Sequence, residues 1–144
     1  MSFWLLYVLS AFAVGFAQPA WLGFLCYFVA VGGYGFFWFL LQKQKAKPKA
    51  RWAFCWFFLV QAIQLSWMSA IRYQGWLILL VYLGVSAALA LEFALLTLFI
   101  FRFVRKEGSA THLPMLAAAA LWSLLEISRL YFLCGFSWNP LGMC

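Results

Sequence analysis

The stretch Gly75–Phe101, GWLILLVYLGVSAALALEFALLTLFIF, carries a single ionisable acid, Glu92, in an otherwise apolar run. As a helix rising about 1.5 Å per residue it extends about 40 Å, against a hydrocarbon core of about 30 Å. It therefore spans a bilayer with tilt or projects beyond the core. Composition agrees, with 68% hydrophobic residues, 9% charged residues and a mean hydropathy of +0.97. No water-facing surface can be assembled from such a chain, so it reads as a membrane protein.

Four further apolar runs, Phe3–Ala17, Trp21–Leu41, Trp52–Ala70 and Leu113–Leu133, are each bounded by polar or turn residues. A span needs about 20 apolar residues, so four of the five runs qualify by length. Phe3–Ala17 reaches only about 22 Å and fits either a thinned span or a helix lying in the interface. A cleaved signal peptide is a third reading, but no Lys or Arg precedes the run. The expectation is an all-α protein, a polytopic transmembrane helical bundle of about five hydrophobic segments. With no internal repeat, Ser/Gly linker or acidic tail, residues 1–144 read as one domain. The nine Trp and six Tyr suit the headgroup interface, where ring and polar tip are both satisfied.

The formal charge of +7 does not point to nucleic acid, because the basic residues lie in two short runs between apolar segments. Lys43, Lys45, Lys47, Lys49 and Arg51 fill one connection, and Arg102, Arg105 and Lys106 another. Basic loops are retained on the cytoplasmic side, which places the amino terminus inside. Gln18-Pro19, Arg72–Gly75 and Gly135–Cys144 then face outward.

Counting from Gly75, Glu92 lies about 25 Å along its helix, in the inner part of the membrane. It is either a proton or cation site, or a carboxylate near the inner boundary, neutral or partnered by Arg51 or Arg102. Cys26, Cys55 and Cys134 read as small buried hydrophobes, and Cys144 sits at a chain end. The four cysteines have neither the spacing of a disulfide framework nor ligating partners for a metal. His112 reads as a loop residue, and Pro114 after it fits the first turn of the last helix. No cofactor or metal is expected.

The last stretch, Trp122-Ser-Leu-Leu-Glu-Ile-Ser-Arg-Leu-Tyr-Phe-Leu-Cys-Gly-Phe-Ser-Trp-Asn-Pro-Leu-Gly142, sets a carboxylate and a guanidinium inside an apolar run. Glu126 and Arg129 share a helix face, either as a mutually neutralising pair or as the polar mouth of a lipid cavity. Gly135 through Gly142 has the chemistry of a turn, with Pro140 denying its amide to a helix and Phe136 and Trp138 suited to the interface. This stretch resembles the apolipoprotein N-acyltransferase family, whose pattern runs roughly Trp, Glu-Trp-x-Arg, Gly-Phe-Pro-Trp, Leu-Gly. It departs from that pattern at Ile127, Leu130 and Ser137. Gly15-Phe-Ala-Gln-Pro-Ala-Trp21-Leu-Gly and Leu65-Ser-Trp67 are similar to the family's first link and to the outer end of its third helix.

The resemblance implies a bacterial inner-membrane enzyme that moves an acyl chain from a phospholipid to the N-terminal cysteine amine of a diacylated lipoprotein. It also implies a catalytic glutamate, lysine and cysteine in a nitrilase-like domain later in the sequence, so no catalytic residue is assigned here and the fragment alone is expected to be inactive. The implied partners are a phospholipid donor, a diacylated lipoprotein and the bilayer. The candidate motif is Glu126, Arg129, Gly135, Phe136, Trp138 and Gly142. Two other classes stay open: a small transporter or channel subunit lined by Gln61, Gln64, Ser66, Ser69, Glu92 and Thr97, and a non-catalytic assembly protein.

The loop asymmetry makes a topological prediction. Cysteine labels placed in Lys43–Arg51 or Arg102–Gly108 should be shielded from an impermeant reagent in intact cells, while a label at Gln74 reacts. Labelling of Lys43–Arg51 from outside would invert the orientation.

Overall fold

A computed structural model describes residues 3–17, 24–43, 48–69, 75–104 and 112–132. All regular structure among them is helical: α1 Phe3–Phe16, α2 Leu25–Lys43, α3 Lys49–Gln64, a 3-10 turn Ser66–Ser69, α4 Leu77–Phe99, a π turn Ile100–Val104, and α5 His112–Phe132. Each helix falls on one of the apolar runs. By length and composition, two helices among the described residues are apolar enough to cross a membrane, Leu25–Lys43 and Leu77–Arg102, rather than the four expected from run length.

Local chemistry explains the shifted boundaries. The third run was expected to begin at Trp52, but Pro48 is extended at φ −63°, ψ 97°, and its carbonyl accepts from the amides of Arg51 at 3.0 Å and Trp52 at 3.4 Å. The helix therefore starts at Lys49. It ends at Gln64 because Leu65 leaves helical geometry while its amide still reaches the Gln61 carbonyl at 2.8 Å, and the remaining residues tighten into the 3-10 turn. Ahead of α4, Gly75 adopts φ +66°, a left-handed conformation that glycine enters without Cβ strain. His112, read from the sequence as a loop residue, is instead the first residue of α5, because Pro114 sits in the helix's first turn, as expected, where its missing amide costs nothing.

Contacts divide the chain within α4, into one unit ending at Ala94 and a second beginning at Leu95. In the first unit α1 lies antiparallel to α2 and parallel to α3. Tyr7 faces Phe37 at 6.3 Å and Gly33 meets Val14, while Tyr7 reaches Trp52 and Gly15 approaches Ile63. α4 runs antiparallel to α3: Tyr82 donates to the Ala62 carbonyl at 2.5 Å, and Phe93 stacks on Phe57 at 4.5 Å. The four helices thus alternate in direction, the arrangement that short connections produce.

The core of this unit is aromatic. Phe37 and Trp56 stack at 4.2 Å, and Tyr34 and Phe93 close around them at 5.3 and 5.9 Å from the indole. Trp56, Phe37 and Phe57 are buried. Offset-stacked and edge-on pairs at these separations add about 0.5–1.5 kcal/mol each beyond the area they bury. In the second unit α5 packs against the π turn. Cys26 is buried beside Ala17 and Ala30, as expected, whereas Cys55 is exposed because it lies on the outward face of α3, away from buried Trp56 and Ala53.

Gly33 explains the close approach of α1 to α2. A Cβ there would stand 2.5 Å from Val14 Cγ2 and 3.3 Å from the Ser10 carbonyl, while one at Gly35 meets open space. Gly33→Ala should therefore destabilise the bundle by about 1–3 kcal/mol in detergent-unfolding titrations. Gly35→Ala should be neutral or gain up to about 1 kcal/mol in helix propensity, and Val14→Ala should recover part of the Gly33→Ala loss. Equal stability of the two alanine variants would contradict the contact.

Candidate functional site

α5 offers an apolar helix with one carboxylate and one guanidinium. Glu126 follows Trp122 by one turn, so the two share a face, and the Trp122 indole Nε1 donates to Glu126 Oε1 at 2.6 Å. A hydrogen bond of that length fixes the rotamer of the Glu126 side chain. Both residues are partly buried, while Leu124, Ile127 and Tyr131 on the opposite side are exposed. Ser128 satisfies its hydroxyl locally by donating to the Leu125 carbonyl at 2.8 Å.

Arg129 belongs to α5, three residues beyond Glu126 and on the same helix face, but its side chain lies outside the described residues. Gly135, Phe136, Trp138 and Gly142 also lie outside them. The contact that sequence reasoning missed is the Trp122 indole. Its signal was available, since Trp122 and Glu126 are spaced i and i+4.

A second set of polar groups, on α1 and α3, was legible only in part. The Tyr7 hydroxyl donates to the Trp52 carbonyl at 2.6 Å. Trp56 Nε1 donates to Ser10 Oγ at 2.9 Å, and that hydroxyl donates onward to the Tyr7 carbonyl at 2.8 Å. Gln64 Nε2 donates to the Val14 carbonyl at 3.3 Å, and Gln61 Nε2 to Gln64 Oε1 at 3.3 Å. Ser10, Gln61 and Gln64 are buried. The bonds of Tyr7, Trp56 and Gln64 join α1 to α3, which is the usual work of polar side chains between packed apolar helices, while those of Ser10 to Tyr7 and Gln61 to Gln64 lie within one helix. On the 3-10 turn the Ser69 hydroxyl donates to the Ser66 backbone carbonyl at 2.6 Å. Glu92 is partly buried on α4.

Comparison with known proteins places these helices. Residues 5–144 match the family model described as the apolipoprotein N-acyltransferase N-terminal domain. The chain is 32% identical over 143 residues to an apolipoprotein N-acyltransferase of Chlamydia pneumoniae, and 34% identical over 144 residues to one of Chlamydia caviae. Each alignment covers 94% of this chain and 26% of the relative, so the chain spans about a quarter of the length of these curated proteins. No solved structure matches it significantly. The match runs from α1 through the Glu126 segment to the last residue, and the chain belongs to the apolipoprotein N-acyltransferase family, within its N-terminal domain.

Proposed function

We propose that this chain is the membrane-embedded N-terminal part of an apolipoprotein N-acyltransferase, a multi-pass helical bundle of the bacterial inner membrane with a cytoplasmic amino terminus. The observation that carries the reading is the family match along residues 5–144. It is supported by the exposed apolar side chains on and beside α1, α2 and α4, among them Trp4, Phe16, Phe24, Phe28, Leu80 and Leu83. Water-exposed apolar surface of that extent is rare in soluble monomers and calls for a hydrocarbon neighbour.

In the proposed reaction a cysteine thiolate attacks an ester carbonyl of the phospholipid, and the lysophospholipid leaves. The α-amine of the lipoprotein's first cysteine then attacks the thioester, forming the amide and restoring the thiol. No residue of this chain is assigned to either step. Its part is to hold lipid near the outer leaflet, with the Trp122–Glu126 pair, Arg129 and the Gly135, Phe136, Trp138 and Gly142 turn at the mouth of that site. The transporter reading is weakened by Gln61 and Gln64, whose amides are engaged with each other and with Val14 rather than lining a path.

The test compares this chain with a complete enzyme containing it, reading membrane abundance and acyl-thioester formation side by side. The chain alone, with phospholipid and a diacylated lipopeptide, should form neither thioester nor N-acylated product. In the complete enzyme, Arg129→Lys should keep abundance yet lower transfer if the guanidinium grips a lipid phosphate. If Glu126 and Arg129 are instead a structural pair, Glu126→Gln and Arg129→Met should each reduce abundance, and the double change should recover part of it. Trp122→Phe should reproduce a milder form of Glu126→Gln, by about 0.5–1.5 kcal/mol, the range for the net contribution of one hydrogen bond. Hydroxylamine-sensitive acylation of Cys134 or Cys144 in the chain alone would overturn the assignment of the chemistry, and wild-type behaviour of all variants would overturn the role of the motif.

A further inference from the structure

Two helices that pack together in the first unit are short for a bilayer. α1 has 14 residues and α3 has 16, about 21 and 24 Å as helices, against about 28 Å for the 19 residues of α2 and about 30 Å for a hydrocarbon core. Their side chains mark similar limits. On α3 the exposed Arg51 and the exposed Ser66 stand about 22 Å apart along the axis, and the polar residues between them, Gln61 and Gln64, are buried. On α1 the exposed residues, among them Trp4, Leu9, Phe12 and Phe16, are all apolar, while its polar residues Tyr7 and Ser10 are buried.

Neither helix gains height by sliding past the other. Near one end the Tyr7 hydroxyl donates to the Trp52 carbonyl and Phe3 lies 5.3 Å from the Trp52 ring; near the other, Gln64 reaches the Val14 carbonyl and Gly15 faces Ile63. The pair is thus one wall with an apolar height of about 22 Å. Tilting lowers that height further, so it relieves an excess of length and never a deficit. Aromatic residues fix the same two levels. Trp4 packs on Trp52 at 4.8 Å at one end, and Trp67 is exposed on the 3-10 turn at the other. Tryptophan settles at the headgroup interface of each leaflet.

We propose that the α1–α3 wall is a lipid-binding surface that thins the bilayer beside it and takes phospholipids of shorter acyl chain than those matching α2 and α4. The proposal rests on the membrane reading above and adds the class of lipid chain. A deficit of about 8 Å, shared between two leaflets, corresponds to about three methylene groups per chain. α4, with 23 residues and about 35 Å, has no such deficit.

The full chain is reconstituted in equimolar dimyristoleoyl and dierucoyl phosphatidylcholine, a short and a long lipid, with one or the other brominated. Bimane fluorescence is read from Leu9→Cys, exposed on α1, or Leu91→Cys, exposed on α4, each with the native cysteines changed to Ala, and separately from native Cys55, exposed on α3, with the other cysteines changed to Ala. At positions 9 and 55 the short brominated lipid should quench at least about twofold more than the long one, and at position 91 it should show no such advantage. Arg51→Leu with Ser66→Leu extends the apolar band of α3 toward Lys49 and Ser69 and should bring the ratio at Cys55 toward parity.

Parity or a long-lipid preference at position 9 would overturn the proposal while leaving the membrane reading intact. So would an equal short-lipid preference at position 91, or a ratio at Cys55 unmoved by the lengthened band. Quenching at position 91 with none at position 9 would show the wall covered by protein, a second copy included, and would overturn it as well. Absence of quenching at every position would sink the membrane reading and this proposal together.

Discussion

The arrangement of the first unit depends on pairing buried polar groups inside apolar surroundings. A hydroxyl or amide removed from water without a partner costs about 1–3 kcal/mol, more than a helix contact usually returns. Ser10 meets this demand in both directions, accepting from the Trp56 indole and donating to the Tyr7 carbonyl, while Tyr7 and Gln64 reach across to backbone carbonyls. Each of these bonds is longitudinally specific. Together they pin α1 to α3 in one parallel register, from Tyr7 beside Trp52 to Val14 beside Gln64.

Register in turn fixes what the apolar groups can do. With α1 held, Gly33 is the residue of α2 that meets Val14, and glycine's missing side chain is what lets the helices approach. The close approach brings Phe37 onto the Trp56 ring, and Phe57 and Phe93 complete the stack. Trp56 therefore serves both networks, its nitrogen in the polar seam and its ring in the aromatic core. α1, only 14 residues long and about 21 Å, packs against both α2 and α3.

The helices and the family were legible in the sequence, because long apolar runs interrupted by basic loops have few interpretations and the Trp122–Gly142 pattern is specific. The packing faces were not. A soluble helix announces its buried face by amphipathic periodicity, but here α1, α2 and α4 are apolar on every side, so exposed Leu9 and Phe12 look no different from buried Ala11 and Val14. The same uniformity concealed that Cys55 faces outward while Cys26 is buried. Gln61 and Gln64 stood out as polar residues in an apolar run, yet sequence alone did not reveal that they bond to each other and to α1. At α5 the spacing of Glu126 and Arg129 drew attention to an ion pair, whereas the hydrogen bond described for the carboxylate comes from the indole one turn earlier. Backbone chemistry, rather than hydrophobicity, set the limits of α3 at Pro48 and Leu65.

The central claim is that α1 is a lipid-immersed element of a packed bundle, with one face on its neighbours and the other on hydrocarbon. Nitroxide labels scanned along α1 in reconstituted bilayers test it most directly, through collision with oxygen, which partitions into lipid, and with a water-soluble nickel complex. Positions 5, 9, 12 and 16, exposed in the structure, should collide readily with oxygen and little with nickel, while positions 7, 10, 11 and 14 should be shielded from both. Nickel access that is high and uniform along α1, with no helical alternation in the oxygen signal, would contradict the account.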